Sequence, residues 1–150
     1  MLCDGAERLN RCFVEQIPLT GHLGLAITAY DGHCLRMDAP LAPNLNDKGT
    51  AFAGSIASLA TFAGWALITL LVEERLGLAE VAVYRSEISY RRPIDGDFYA
   101  LCRMPEETGL ATFWQTLKQT GKGRLELAVI VSQGDEERVR FKGAYAVCLV

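Results

Sequence analysis

An α+β domain, with an antiparallel sheet curled around one long apolar helix, is the fold class this sequence predicts. Three observations carry it. The run from residue 49 to residue 72 holds no charged side chain and is rich in Ala and Leu, too long for a strand. Six shorter stretches before and after it read as strands. The pairs Asp31-Gly32 and Asp95-Gly96 sit beside such stretches, and Asp-Gly favours the tight turns that join antiparallel strands.

The elements follow in order. Residues 4–17 predict a short amphipathic helix, because Leu9, Phe13 and Ile17 recur every four residues and Pro18 then ends it. Residues 23–30 and 33–39 predict a hairpin about Asp31-Gly32. Residues 40–50, with two prolines, two asparagines and a glycine, predict a loop. The apolar helix follows and ends near Leu76-Gly77, where Gly77 suits a C-terminal cap. Residues 79–92 alternate, with Val81, Val83, Ile88 and Tyr90 against Glu80, Arg85, Glu87 and Arg91. Their register slips once near Ser86, the mark of a bulge. Residues 97–104 predict a strand. Pro105-Glu106-Glu107 suits the first turn of a helix, whose apolar face is Leu110, Phe113, Trp114 and Leu117. Residues 124–132 and 137–149 predict two last strands around Gln133-Gly134-Asp135. No repeat or linker divides residues 1–150, so one domain is expected.

Composition narrows the function. Half of the 150 residues are hydrophobic and 22% are charged, which excludes a disordered chain. The net charge of −3 argues against a nucleic-acid partner. The five cysteines are widely spaced, with no C-x-x-C, so they predict reduced packing thiols in a cytoplasmic protein rather than a disulfide framework or a zinc site. No apolar signal core opens the chain. By length alone the apolar run also suits a membrane span. Its Ser and Thr content, its Ala and Gly, and the Glu73-Glu74 that follow it favour a helix enclosed by a sheet, with no membrane partner.

The densest polar cluster beside apolar sequence is Asn44, Asn46, Asp47, Lys48, Gly49 and Thr50, leading into Phe52-Ala53-Gly54-Ser55. A helix N-terminus offers unpaired N–H donors and a positive dipole end, which suit a carbonyl oxygen gaining charge in acyl transfer. Gly54 lets a ligand approach the backbone. Asn44 or Asn46 can bind water or a carbonyl, and Asp47 is the one acid there that can act as a base. The same residues also suit plain capping of a helix, with Gly49 making the turn. Ser55, Ser58 and Thr61 share one side of the helix and either line a water or acyl site or bond back to the backbone. Arg91 and Arg92, with Lys48, Lys118 and Lys122, are candidates for a carrier's phosphate. As strand neighbours the two arginines are expected to face opposite ways. His22 and His33 flank the first strand, and no nucleophile motif or metal-ligand spacing accompanies them.

The run Pro40-Leu41-Ala42-Pro43-Asn44-x-Asn46-Asp47-Lys48-Gly49-Thr50-x-Phe52-x-Gly54-Ser55, with Gly64-Trp65 and the strand ending Tyr90-Arg-Arg-Pro93, resembles the thioesterase domain at the C-terminus of bacterial YiiD proteins. The likeness runs through nearly the whole chain, and it implies the hot-dog fold. It also implies hydrolysis of acyl thioesters carried on coenzyme A or acyl carrier protein, in fatty-acid or polyketide metabolism. Hot-dog proteins are generally at least dimers with sites at the subunit interface, so a homodimer or a dimer of dimers is implied. An Asn-x-x-Gly stretch before the helix falls on Asn46 and Gly49. One departure stands out. Many such thioesterases carry an acid on the central helix, at a position near Thr61, whereas residues 51–72 contain none.

The expected function is therefore an acyl-thioesterase with no cofactor and no metal. Backbone N–H groups of Ala53 and Gly54 are the expected oxyanion donors. Asn46 orients the water or the carbonyl, Ser58 and Thr61 line the water site, and Asp47 is the available acid. Asn44, Gly49, Thr50, Phe52, Ser55, Tyr90, Arg91 and Arg92 are the expected substrate contacts. The alternative is a non-catalytic acyl-CoA or acyl-carrier binding module, which the missing carboxylate favours.

Overall fold

The computed structural model describes residues 1–150. Two helices open the chain, α1 (Asp4–Gln16) and α2 (Pro18–Leu23), followed by strands β1 (Ala26–Tyr30) and β2 (Cys34–Ala39). A 3-10 turn at Ala42–Asn44 then leads to the long helix α3 (Ala53–Arg75). Next come β3 (Ala79–Tyr90), β4 (Phe98–Arg103), α4 (Glu107–Thr120), β5 (Lys122–Gln133) and β6 (Glu136–Leu149). The six strands form one sheet in the order β1-β2-β4-β5-β6-β3, and every pairing is antiparallel. The predicted class and the wrapped helix both hold.

Helix α3 is apolar all round because the sheet and α1 enclose it. Every residue from Ala66 to Val72 is buried, while Ala57, Ser58, Thr61, Phe62 and Trp65 form a half-buried stripe on its first half. Burying a side chain such as Leu67 or Leu70 stabilises the fold by about 1.5–3 kcal/mol. This is the one helix long and apolar enough to cross a membrane, and 72% of its most apolar window lies inside the protein. Helix α1 covers it by inserting Leu9 and Phe13, whose ring lies 5.7 Å from the rings of Phe62 and Trp65.

Several boundaries differ from expectation. Pro18 starts a helix instead of only ending one, since a proline at the first helical position gives up an N–H that has no partner there anyway. The strand predicted from residue 23 consequently begins at Ala26. Gly24, at φ +71°, closes α2 in the left-handed conformation that glycine adopts without strain. The bulge in β3 falls between Val83 and Arg85, two residues before the expected place. Pro105 lies outside α4, whose N-cap is Glu106. The cysteines are all free, but only Cys102 is fully buried and Cys3 is exposed, so packing explains fewer of them than expected. Both histidines are exposed.

Strand β3 joins the sheet only through β6 and leaves its other edge free. It is twelve residues long and mostly exposed, with Val83, Tyr84 and Tyr90 among its open side chains.

Candidate active site

Asn46 builds the loop before α3. Its Oδ1 accepts from the N–H groups of Lys48 (2.8 Å) and Thr50 (3.1 Å), and its Nδ2 donates to Thr50 Oγ1 (2.8 Å). Gly49 takes φ +77° to complete the turn, as expected of it. The loop is then clamped from both sides. The Ala51 N–H donates to the Ile94 carbonyl (2.8 Å) and the Phe52 N–H donates to the Asn44 carbonyl (2.7 Å). Asn44 is buried, and its Nδ2 donates to the carbonyls of Leu23 (2.8 Å) and Pro40 (2.7 Å). It ties α2, the end of β2 and the start of α3 together.

No side chain caps α3. Phe52 holds the N-cap position, and the first helical bond runs from the Ile56 N–H to the Phe52 carbonyl. The N–H groups of Ala53, Gly54 and Ser55 have no acceptor within the protein. The capping reading of the polar loop is thereby corrected, because the Asn, Asp and Thr side chains serve the loop and leave the helix end open. Open donors at a positive dipole end suit an oxygen that gains negative charge.

Next to this helix end lies a cavity of about 290 Å³. It brings together six of the expected residues: Asn46, Thr50, Ala53, Tyr90, Arg91 and Arg92. Ala51, Ile56, Pro93 and Ile94 complete it. Sequence reasoning missed these four, and the signal for Ala51 is faint, since its place follows from an isolated bridge to Leu45. Both arginines reach this cavity, against the expectation that strand neighbours face opposite ways, and Arg92 also pairs with Glu136 (3.6 Å). Strand β3 ends at Tyr90, and the N–H groups of Arg91 and Arg92 both turn to the Arg138 carbonyl (3.0 and 3.1 Å). Tyr90 donates its hydroxyl to the Ala53 carbonyl (3.0 Å), and burial raises its pKa above the usual phenol value.

The other expected residues stand around this cavity without lining it. Asp47 is exposed and pairs with Lys48 (2.9 Å). Phe52 is half exposed and lays its ring against Gly54. Ser55 is buried in the first turn. Ser58 and Thr61 donate back to the carbonyls of Gly54 (2.9 Å) and Ala57 (2.8 Å), which leaves their oxygen lone pairs free. No Asp or Glu lines the cavity.

A curved antiparallel sheet around a central helix, with a polar loop feeding that helix's open N-terminus, defines a hot-dog-fold domain. The chain belongs to the family described as "Putative thioesterase (yiiD_Cterm)", whose profile matches residues 6–149. A crystal structure of a Chlorobaculum tepidum protein of unknown function is 31% identical. That match covers 97% of this chain and 94% of that one, with a TM-score of 0.89. A Shewanella oneidensis protein described as a putative thioesterase is 26% identical over 98% of this chain and 99% of its own, with a TM-score of 0.85. A Haemophilus influenzae thioesterase shares the fold at 15% identity, covering 96% and 90% of the two chains with a TM-score of 0.75.

Proposed function

We propose that this chain hydrolyses acyl thioesters carried on coenzyme A or acyl carrier protein. The observation that carries the reading is the uncapped start of α3, with three N–H groups free of protein acceptors and Ala53 lining the adjoining cavity. The thioester oxygen accepts from the Ala53 and Gly54 N–H groups. Water adds to the carbonyl carbon, negative charge collects on that oxygen, and the C–S bond breaks as the tetrahedral species collapses. The departing thiolate takes up the proton that the water gave. Ser58 and Thr61, one and two turns further along α3, keep free lone pairs that hold water beside the acyl group. No nucleophile-base pair stands here, which favours direct water attack over a covalent intermediate. Arg91 and Arg92 sit at the mouth, where an anionic carrier arrives.

The working unit in this proposal is a homodimer joined edge to edge through β3. A long exposed edge strand is a template for a further strand, and this one holds neither proline nor lysine to block pairing.

One observation favours a second reading, a module that binds acyl carriers without hydrolysis: no carboxylate lines the cavity. Chromatographic detection of free acid from a panel of acyl-CoA and acyl-carrier thioesters separates the two. Turnover that Asn46→Ala cuts by about a hundredfold, the size of losing one polarising element, supports the enzyme and its site. Turnover unchanged by that substitution sinks the site. Binding of acyl-CoA without release of acid selects the module.

A further inference from the structure

A second cavity, of about 660 Å³, lies at the opposite end of β3, between the end of α4 and strands β5, β6 and β3. Its lining carries Lys122 and Arg124, and neither takes part in an ion pair. The one acid there is Glu80. The cavity is thus locally positive in a chain whose net charge is −3. The Arg124 guanidinium sits 5.1 Å from the centre of the Tyr84 ring. Tyr84 is the bulged residue of β3, and its ring is half exposed. Thr116 lies in the wall, while Thr120 spends its hydroxyl on backbone groups of Thr116 and Lys122. Ala82 and Ala146, paired across β3 and β6, keep the floor low.

Two cations free of ion pairs and a threonine in one hollow, with a half-exposed aromatic ring beside Arg124 just outside its lining, match a phosphate joined to a flat base. We infer that this cavity binds a phosphorylated nucleoside. Lys122 and Arg124 meet the phosphate, Thr116 donates to it, and Tyr84 with Arg124 flanks the base. Ten residues of β3 separate Glu80 from Tyr90, roughly 30 Å of strand. A nucleotide here therefore belongs to a thioester at the helix end only across the β3 edge of a dimer, and that source rests on the function proposed above. A free nucleotide acting as an effector is the other source of the same chemistry.

Calorimetry of the intact protein with 3′-phosphoadenosine 5′-diphosphate tests the site without requiring turnover. The protein is expected to bind it, and Lys122→Gln with Arg124→Gln is expected to weaken binding by at least about tenfold, the size of losing charge-assisted hydrogen bonds. Thr116→Val, a near-isosteric change on the exposed helix face, is expected to weaken it less. Absence of binding, or binding unchanged by these substitutions, overturns the inference. Kinetics then assign the source. If the double variant raises KM for acyl-CoA and not for the same acyl group on pantetheine, with kcat held, the nucleotide is the carrier's own end. If free nucleotide instead alters turnover of acyl-pantetheine, it is an effector. A protein inert towards every thioester but still binding the nucleotide keeps this site and removes the thioesterase reading.

Discussion

The ring of Phe52 lies across Gly54 so closely that a Cβ on residue 54 would stand 2.4 Å from its Cε2. This contact stands at the first turn of α3, where the N–H groups have no protein acceptor. Because the ring is half exposed, it can swing away. Gly54→Ala is therefore expected to leave stability unchanged or to raise it by up to about 1 kcal/mol, the ordinary gain of alanine in a helix. Release of free acid is expected to fall, since the new methyl stands where the substrate approaches. Equal loss of stability and activity in parallel melting and turnover assays would refute this separation.

Gly64 makes the opposite case. A Cβ there would meet the hydroxyl oxygen of Tyr145 at 2.3 Å, and Tyr145 is fully buried with its hydroxyl donated to the Thr61 carbonyl (2.8 Å). That ring has nowhere to go. Gly64→Ala is expected to cost about 1–3 kcal/mol by overpacking, read from denaturant titration. Adding Tyr145→Phe removes the clashing oxygen, so the double substitution is expected to cost less than the sum of the two singles. Strict additivity would show that the two residues do not compete for the same space.

Tyr90→Phe removes the bond to the Ala53 carbonyl and is expected to cost about 0.5–1.5 kcal/mol. Its pH dependence has a definite sign. Burial raises the Tyr90 pKa in the folded state, so the neutral phenol is favoured there. The contribution is fully present below the unfolded value of about 10 and is lost as pH rises through the higher folded value. The stability gap between the unsubstituted protein and the Tyr90→Phe variant should accordingly shrink only in strongly alkaline solution. A gap that closes between neutral pH and about 9 would assign it to another group.

Asn46 acts through the loop it ties, which its substitutions can reveal. Asn46→Asp keeps the oxygen that accepts from Lys48 and Thr50, and the Thr50 hydroxyl can turn to donate to it. It is expected to retain much more turnover than Asn46→Ala, and its KM is expected to change less than its kcat. Equal collapse of both variants would instead give the Asn46 amide a direct contact with the substrate.

The free edge of β3 carries the dimer proposal. Val83→Lys places a charge on an exposed edge residue, a change that natural sheets use to block pairing. Light scattering is expected to shift from two chains towards one, with loss of turnover. A dimer that survives the change would place the contact elsewhere.

Much of the architecture was legible in the residues. The uncharged run gave α3, Asp31-Gly32 gave the β1-β2 turn and the alternation gave the strands, because burial on one face leaves a period that sequence displays. Asp95-Gly96 misled, since it links β3 to β4, which do not pair. Pro18 misled because a proline that cannot continue one helix is well suited to begin another. Within the site, Asn46 was found from the polar cluster before a helix start, and Tyr90, Arg91 and Arg92 from a basic strand end. What sequence concealed was direction. Whether an asparagine turns to substrate or to its own loop depends on hydrogen bonds to residues such as Thr50 and Lys48, and residue type does not encode that choice. Pro93 and Ile94 were missed for a related reason, since only the pairing of β3 with β6 brings their segment beside Ala51.

Ala79 at the start of β3 pairs with Leu149 near the end of β6. During synthesis the central helix and the strand after it emerge well before their lasting neighbour. Until β6 leaves the ribosome, β3 has no strand beside it and part of α3 has no cover. Contacts so distant along the chain form slowly and leave apolar surface open in the meantime. A ribosome stalled within β6 would therefore hold a sticky, unfinished chain, with the β3 edge proposed for pairing still lacking its inner neighbour.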